Sequence, residues 1–558
     1  MVGYHSLSAG GGARRFATVV TRAGAGVMLP VVSIAPLSTL ALAVFRVALG
    51  AVVLLDLAES IPDHCDFYSD DGLFSMASRP DDAPWMGVHE LGGSCAATRG
   101  LMLLHATAAA CLLVGFCTPL AASTCYVMAL SHIRRSPFTF SGGDVLLCLL
   151  SAWAALLPTA QRWSLDARRR PAGAPRASTV RGVAALGLQL QICVIYLTSA
   201  VYKTLGAEEQ ANKPDAPSQW LAGDAVRAAL ACCEYLAFVG DGLRRLPTVC
   251  AALTYATVLI EYAAPFLLLL PVAWLRFFTV ASLIAMHIVM GAAMNLGNFA
   301  VASIVALLAL LPLEPDRVLW GYEAEPAEAS AAGAVDASTP PRPWSLRTAV
   351  AALFIATNLG TAVLGFFPGA VERLENGDWL PPRVQAWAPR TCAAVASSAA
   401  ELLNGAPRWN MFARPPASCG WWVLPAVLHN GSVVDAHKLR HYPRVEPIIS
   451  WQRPRWPAFQ HNSVLWHSYY ERLNGPHPDD QATTTLLLES LARYHCVRQP
   501  EIERIYVMFN LEDHDFDRWR VRYSTEFLWE KNCTGGQGRA PTGAPPLPLP
   551  RPRWEGIP

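Results

Sequence analysis

Four residues that can do chemistry lie within or at the end of strongly apolar stretches. Lys203 ends the stretch CVIYLTSAVYK, and Tyr196 precedes it by seven residues, two helical turns along the same face. Glu261 lies within VLIEYAAP, and His287 lies within ASLIAMHIVMG. Partial burial disfavours the charged form of an amine, which makes a lysine available as a general base. Tyr196 and Lys203 can therefore line a pocket together, and Glu261 and His287 are further candidates for it.

Each of these residues also has a structural interpretation. A lysine at the end of a membrane helix can extend its stem and anchor its ammonium in the interface. Glu261 and His287 can each form a hydrogen bond between neighbouring helices. The segment SQWLAGDAVRAALACCEYLAFVG favours a pocket, because it is amphipathic and could fold back over Lys203 as a lid.

The composition indicates a membrane protein. The chain has 558 residues, of which 53% are hydrophobic and 16% charged, and its mean hydropathy is +0.27. Soluble domains usually carry about a quarter charged residues. The net charge of +1, with no basic-aromatic patch and no zinc-finger spacing, argues against a nucleic-acid partner. The sequence likewise predicts no metal site.

Nine apolar stretches recur along the chain, and the shorter ones need flanking residues to reach the roughly 20 that cross a bilayer. They span residues 39–57, 101–116, 120–130, 145–157, 183–201, 249–270, 277–290, 299–311 and 350–367. We predict an all-α polytopic membrane bundle of about nine transmembrane helices, followed by an extramembrane α+β domain.

The distribution of charge between these stretches predicts an orientation. Three arginines precede the first stretch and six follow the fourth, both expected on the cytoplasmic side, whereas the link after the first stretch is acidic. The arginines are Arg14, Arg15 and Arg22, then Arg162, Arg168, Arg169, Arg170, Arg176 and Arg181. The C-terminal domain is then lumenal or extracytoplasmic. Arg134 and Arg135 fall on the outer side and oppose this orientation.

The composition also divides the chain into segments. They are an N-terminal tail (1–38), the main transmembrane domain (39–312), a flexible Ala/Pro/Glu-rich link (313–344), a last transmembrane helix (345–368), an extramembrane α+β domain (369–534) and a Pro-rich disordered tail (535–558). Within the α+β domain, Asn430-Gly431 predicts a β-hairpin, because both residues tolerate positive φ. Two helices, 464–473 and 483–496, and a strand, 504–511, are expected to follow.

Cysteines and glycosylation patterns agree with an outer C-terminal domain. Six cysteines fall on the outer side, where disulfides can form, but their pairing cannot be read from the sequence. They are Cys65, Cys95, Cys392, Cys419, Cys496 and Cys533. The acceptor patterns Asn430-Gly-Ser and Asn532-Cys-Thr lie on the same side, so a glycoprotein is expected.

Several motifs occur in a recognisable order. They are FRVALGAVVLLDL followed by FYSDDG; SGGDVLLCLL then RWSLDA; IYLTSAVYK; TYATVLIEYAAPFLLLLP; MHIVMGAAMNLGNF; and WNMFARPP. With these motifs the chain resembles the HTTM (horizontally transferred transmembrane) domain proteins, which are related to vitamin K-dependent gamma-glutamyl carboxylase. The resemblance runs from Phe45 through the C-terminal domain, and residues 39–312 are the HTTM-like part.

The resemblance implies chemistry at a lipid quinone. In the carboxylase a lysine deprotonates vitamin K hydroquinone, and oxygen then generates a strong base that removes a γ-proton from a glutamate side chain, so that carbon dioxide can add. Lys203 corresponds to that lysine through the tyrosine seven residues earlier, and His287 corresponds to a histidine of the carboxylase. Tyr196, His287 and Glu261 are then expected to bind vitamin K hydroquinone or a related lipid quinone.

Two hypotheses follow and stay open. The first is a carbon–carbon lyase with coupled quinone epoxidation, which carboxylates glutamates of a secreted protein or peptide. This enzyme would lie in the endoplasmic reticulum or another endomembrane. The second is a non-catalytic HTTM membrane factor that binds or matures an exported partner. The carboxylase has an Asn-His pair just before its fourth apolar span, where this chain reads TFSGGD. That departure argues against efficient coupling of quinone oxidation to carboxylation.

Overall fold

The computed structural model describes residues 36–75, 87–171, 177–205, 218–232, 235–313, 345–366, 413, 415–442, 446–457, 463–474, 481–540 and 548–556, leaving out the side chains of residues 358–366, 474 and 481. An N-terminal helical region is followed by a C-terminal region in which helices pack on an antiparallel sheet. Both parts agree with the predicted fold class.

The helical region contains a helix at each of the nine predicted apolar stretches. Its helices, with short connecting ones, are α1 (Thr39–Ser60), α2 (His64–Tyr68), α3 (Cys95–Val114), α4 (Thr118–Arg135), α5 (Gly142–Leu156), α6 (Leu165–Arg168), α7 (Val183–Leu205), α8 (Gln219–Ala222), α9 (Ala225–Ala231), α10 (Phe238–Leu243), α11 (Pro247–Leu269), α12 (Ala273–Ala293), α13 (Phe299–Leu308) and α14 (Leu346–Phe366). Two short strands, β1 (Leu37–Ser38) and β2 (Thr179–Val180), pair antiparallel.

Five of these helices are long and apolar enough to cross a membrane: α1, α3, α7, α11 and α12. Among the remaining helices of the described chain, α5, α13 and the first part of α14 are apolar but shorter. The region therefore has five candidate membrane spans by length and composition, fewer than the nine crossings predicted from hydropathy. The difference arises because several apolar stretches form helices of only 10 to 15 residues, such as α13 and α5.

A buried arginine ties the first helices together. Arg46 of α1 is fully buried and donates from Nη1 to the carbonyls of Leu112 and Leu113, at 2.8 Å each, and from Nη2 to the carbonyl of Trp163. The last carbonyls of a helix lack partners within it, so the guanidinium satisfies the end of α3. That helix ends at Gly115 with φ +71°, and a Cβ there would lie 2.4 Å from Arg46 Nη1.

The C-terminal sheet is antiparallel throughout. Its strands are β3 (Ser418–Val423), β4 (Pro425–Leu428), β5 (Val433–Asp435), β6 (Ile502–Asp515), β7 (Arg520–Asn532) and β8 (Arg553–Gly556). The order is β5-β4-β6-β7-β8, and β3 also pairs with β6. Helices α15 (Ala436–His441), α16 (Val464–Asn474) and α17 (Gln481–Arg498) complete the region. The predicted hairpin is present, because β4 and β5 pair across Gly431 at φ +81°.

The core of the C-terminal region takes in part of the helical region. Phe67, Tyr68 and Leu73, from the acidic segment after α1, share one buried cluster with residues such as Trp466 and Tyr469 of α16. Polar contacts reinforce this packing: Arg493 of α17 donates to the carbonyl of Leu73 at 3.0 Å. The segment after α1 and the C-terminal region therefore lie on the same side of the bundle.

Two disulfides hold this side of the molecule. Cys65 is bonded to Cys95, and Cys496 to Cys533. All four belong to the six outer cysteines named from the sequence. Cys392 lies outside the described residues, and Cys419 takes part in neither disulfide.

Two strands of the C-terminal sheet were not predicted. β7 pairs with β6 along its whole length, although its sequence RVRYSTEFLWEKN is rich in charged residues. Main-chain hydrogen bonds to the long strand β6 stabilise β7, so its two faces need not be apolar. β8 lies within the predicted disordered tail, and its residues Arg553 and Trp554 pair with β7. Every residue of β8 is exposed, so hydrogen bonds to the sheet edge hold it rather than apolar burial.

Candidate active site

The four residues singled out from the sequence converge on one cavity between helices α5, α7, α11, α12 and α13. Tyr196 and Lys203 come from α7, Glu261 from α11 and His287 from α12. Ser199 also lines the cavity, one turn before Lys203 on the same face of α7. The cavity has a volume of about 50 Å³. Its other lining residues are mostly apolar: Leu146, Ile192, Ile195, Met290, Phe299, Ser303 and Ala306.

Lys203 and Glu261 form a buried ion pair between α7 and α11. The Lys203 Nζ atom lies 2.5 Å from Glu261 Oε1 and donates to Ser199 Oγ at 2.9 Å. Lys203 is 5% exposed and Glu261 is 4% exposed, so water screens the pair little. Such a pair is tolerated in a low-dielectric interior only because each charge has its partner.

The short helices after α7 close over this pair. Trp220 of α8 is buried, and its ring lies 4.7 Å from Lys203 Nζ in a cation–π contact. The next helix, α9, is fixed to α11 because the amide of Val226 donates to Thr254 Oγ1 at 3.1 Å. The described part of the amphipathic segment thus folds back over Lys203, as the sequence indicates. This position differs from that of an anchor exposed at the membrane surface.

A second hydrogen bond crosses the cavity between α7 and α12. The Tyr196 hydroxyl lies 3.0 Å from His287 Nε2, and both side chains are buried. Among the described residues, His287 Nδ1 and Glu261 Oε2 are buried without a hydrogen-bond partner. Buried polar atoms normally have partners, and leaving one unsatisfied costs about 1–3 kcal/mol. Each atom can therefore bind a polar group of a molecule that enters the cavity.

The arrangement suits a ligand with an apolar body and hydroxyl or carbonyl groups. Most of the lining is hydrophobic or aromatic, whereas an amine, a carboxylate and an imidazole lie together in its wall. Ligand pockets typically combine a hydrophobic lining with a few such placed polar groups. The amine-carboxylate pair adds a group that can accept a proton from the ligand.

The match to a known family covers this cavity. The family model of the HTTM domain matches residues 35–314, half of the chain. The chain belongs to the HTTM domain family. HTTM is the domain found in gamma-glutamyl carboxylase. The matched residues include Tyr196, Lys203, Glu261 and His287, and their limits lie close to the transmembrane domain predicted from the sequence. No curated protein and no solved structure matches the chain.

A polar group lies at the start of α5. Ser141 and Asp144 of TFSGGD form a capping box at the start of α5. The Asn298 amide donates to Asp144 Oδ1 and to Asp56 Oδ1, each at 2.7 Å. An amide between two carboxylates therefore occupies this place. Asn298 is next to Phe299, which lines the cavity, so this polar group borders the candidate active site.

A second cavity of the HTTM domain contains a group of histidines that the sequence did not reveal. His64, His105 and His132 line it, and the His89 ring lies 4.2 Å from that of His132. These histidines come from four separate elements, so no spacing in the sequence connects them. Burial is the main cause that lowers the pKa of His64 to about 4 and that of His89 to about 3.

Acidification is expected to destabilise the protein through these histidines. The unfolded chain takes up protons below about pH 6.5, whereas native His64 stays neutral until about pH 4. Its contribution to stability is therefore full above pH 6.5 and is lost progressively as the pH falls towards 4. Thermal unfolding midpoints between pH 7 and 5 measure the effect. The His64→Phe variant keeps the ring stacked on Tyr68 and should flatten the decline; an unchanged pH slope would contradict this assignment.

Proposed function

We propose that this HTTM protein is a quinone-dependent membrane enzyme with the Lys203 cavity as its active site. The observation that carries the proposal is the Lys203–Glu261 pair, buried in a largely apolar cavity of a domain that gamma-glutamyl carboxylase also contains. An anchoring lysine needs neither a buried carboxylate partner nor a tryptophan over its ammonium. A lysine that must exchange a proton with a ligand needs a nearby group that can hold that proton.

The residues of the cavity have distinct proposed roles. Lys203 accepts a proton from a ligand hydroxyl, Glu261 pairs with the resulting ammonium, and Ser199 orients the amine. His287 and Tyr196 bind the other polar group of the ligand, and the apolar side chains contact its ring. Vitamin K hydroquinone or a related lipid quinone fits this lining; with O2 it would supply a strong base that takes a glutamate γ-proton and ends as epoxide and water, so that CO2 adds at the deprotonated carbon.

The proposed substrate is a glutamate side chain of a secreted protein or peptide, presented from the outer side. With this substrate, the C-terminal region lies in the lumen of the endoplasmic reticulum or another endomembrane, or outside the cell. About nine helices then cross the bilayer. The acidic segment after α1, both disulfides and the C-terminal core share one side, which supports this orientation. Arg135 forms a salt bridge with Asp70 at 3.0 Å. The acidic segment therefore neutralises the charge of an arginine that, by itself, argues against this orientation.

Protease protection in sealed vesicles tests the orientation. We expect the C-terminal region to resist protease added from the cytosolic side and to become sensitive once detergent opens the vesicles. A tag placed before Thr39 serves as the control and should be cleaved in both conditions. Cleavage of the C-terminal region in intact vesicles would place Lys203 at the cytosolic end of α7 and contradict the orientation.

A second function is favoured by one specific observation. By the resemblance, the carboxylase has an Asn-His pair where this chain reads TFSGGD with no histidine, and Asp144 of this motif accepts a hydrogen bond from Asn298. This favours a non-catalytic HTTM membrane factor that binds or matures an exported partner. Such a protein would use its C-terminal region for binding and would need no quinone.

Purification in detergent followed by mass spectrometry separates the two functions. A co-purifying lipid quinone, together with an added carboxyl group on glutamates of candidate secreted proteins, supports the enzyme. An exported partner that co-purifies with unmodified glutamates, from a preparation with no bound quinone, supports the non-catalytic factor. Both readouts use the full chain from its own membrane.

A further inference from the structure

A thiol, a carboxylate and an imidazole meet on the C-terminal sheet, away from the active-site cavity. Cys419 on β3 lies directly opposite Glu512 on β6 in the antiparallel register. His514 is two residues after Glu512, so both side chains lie on the same face of β6. All three are buried: Cys419 is 0% exposed, Glu512 2% and His514 7%. The sequence predicts no metal site here, because 93 residues separate Cys419 from Glu512.

The distances within this group fit a shared cation. The Cys419 Sγ atom lies 3.8 Å from Glu512 Oε2, and His514 Nε2 lies 3.9 Å from the same oxygen. All three donor atoms lie within 4.8 Å of one another. In a tetrahedral zinc site with bonds of about 2.0–2.3 Å, neighbouring donor atoms are roughly 3.3–3.7 Å apart. The two distances from Glu512 Oε2 are within a few tenths of an ångström of this spacing, and the Cys419–His514 distance, at most 4.8 Å, would shorten by up to about 1.5 Å on binding.

The surroundings leave the donor atoms directed at one another. Arg453 Nε binds Glu512 Oε1 at 2.5 Å, which orients the carboxylate and keeps Oε2 towards Cys419 and His514. The His514 ring stacks on Phe516 at 5.5 Å between ring centroids.

The chemistry of the donors selects the metal. Thiolate, imidazole and carboxylate are the ligands that zinc takes in proteins, whereas calcium and magnesium prefer oxygen alone. Bound zinc would displace the thiol proton and neutralise the buried carboxylate and thiolate together. Zinc satisfies this donor set better than any other common ion.

We propose that Cys419, Glu512 and His514 form a zinc site that fastens the C-terminal region to the HTTM domain. Cys419 packs in one buried cluster with Cys232 and Tyr235, which come from the segment between α9 and α10. The Tyr235 hydroxyl donates to Glu471 of α16, so the same segment contacts the C-terminal region twice. A metal on β3 and β6 rigidifies the sheet at this contact. The Cys232 thiol or a water is the candidate fourth ligand.

Metal analysis of the whole protein tests the site. The full chain, purified in detergent without chelator and freed of any polyhistidine tag, is expected to contain roughly one zinc ion per chain. Cys419→Ser and His514→Gln are each expected to reduce the zinc content at least tenfold. Glu512→Gln, a milder change, should lower it as well. Cys125→Ala removes another fully buried cysteine, on α4, and should leave the zinc content unchanged.

A spectroscopic measurement keeps the proposal testable if a variant fails to fold. Chelator-treated wild-type protein reloaded with Co²⁺ should show a thiolate-to-cobalt absorption band, and zinc should bleach it. Wild-type protein without zinc and without this band would overturn the proposal. So would a Cys232–Cys419 disulfide found by peptide mass spectrometry, or zinc that persists in both the Cys419→Ser and the His514→Gln variant.

Discussion

Replacing Lys203 with arginine is expected to abolish quinone oxidation by the purified protein while leaving it folded. Arginine can keep the ion pair with Glu261 and the contact with Trp220, but its guanidinium stays protonated at any working pH and cannot act as a base. Losing a general base costs roughly 10²- to 10⁴-fold in rate. Oxygen-dependent consumption of added vitamin K hydroquinone measures this loss directly.

Two further variants complete the Lys203 experiment. Lys203→Met keeps the apolar stem without an amine and should be equally inactive, and a small amine added to it would restore part of the rate if it reaches the cavity. Lys438→Arg, in the C-terminal region, is the matched control and should keep full activity, because the Lys438 ammonium donates to the carbonyl of Ile448, away from the cavity. Full activity in the Lys203→Arg variant with normal expression would make Lys203 an anchor and remove it from the mechanism.

Removing both members of the Lys203–Glu261 pair is expected to harm stability less than removing one. A single replacement leaves a buried charge without its partner, which costs about 3–5 kcal/mol, whereas replacing both by apolar residues of similar volume is often neutral. Lys203→Met and Glu261→Met should therefore each lower the thermal unfolding midpoint, and the double variant should regain most of the loss. Thermal unfolding in detergent measures all three.

The same three variants separate stability from activity. The double variant should remain inactive although its stability recovers, because no amine is left to accept a proton. Glu261→Gln tests the charge of the carboxylate, since the amide can hydrogen-bond Lys203 but carries no charge to pair with its ammonium; we expect slower quinone oxidation. Additive losses of stability would contradict direct coupling of the two side chains. Activity that returns with stability would assign the pair a purely structural role.

Local patterns in the sequence were enough to predict much of the fold. Each of the nine apolar stretches corresponds to a helix, and the Asn430-Gly431 turn joins β4 to β5. The alignment of Tyr196 and Lys203 on one face follows from helical geometry alone. These features depend on interactions within a few residues, so the sequence alone reveals them.

The features that depend on distant contacts could not be predicted in the same way. The sequence names Glu261 and Lys203 separately, but their pairing across 58 residues depends on how α7 packs against α11. Trp220 reaches Lys203 only because α8 folds back, and the histidines of the second cavity come from four elements. β7 was missed because pairing with β6 offsets its polar composition. The disulfide partners likewise depend on the folded chain.

The most direct test is the formation of quinone epoxide from reduced vitamin K under oxygen by the purified wild-type protein, with the Lys203→Arg variant beside it. We predict epoxide from the wild-type protein and none above the protein-free level from the variant. Equal epoxide from both proteins, or none from a well-folded wild-type preparation supplied with hydroquinone, would contradict the assignment of the Lys203 cavity as a quinone-dependent active site.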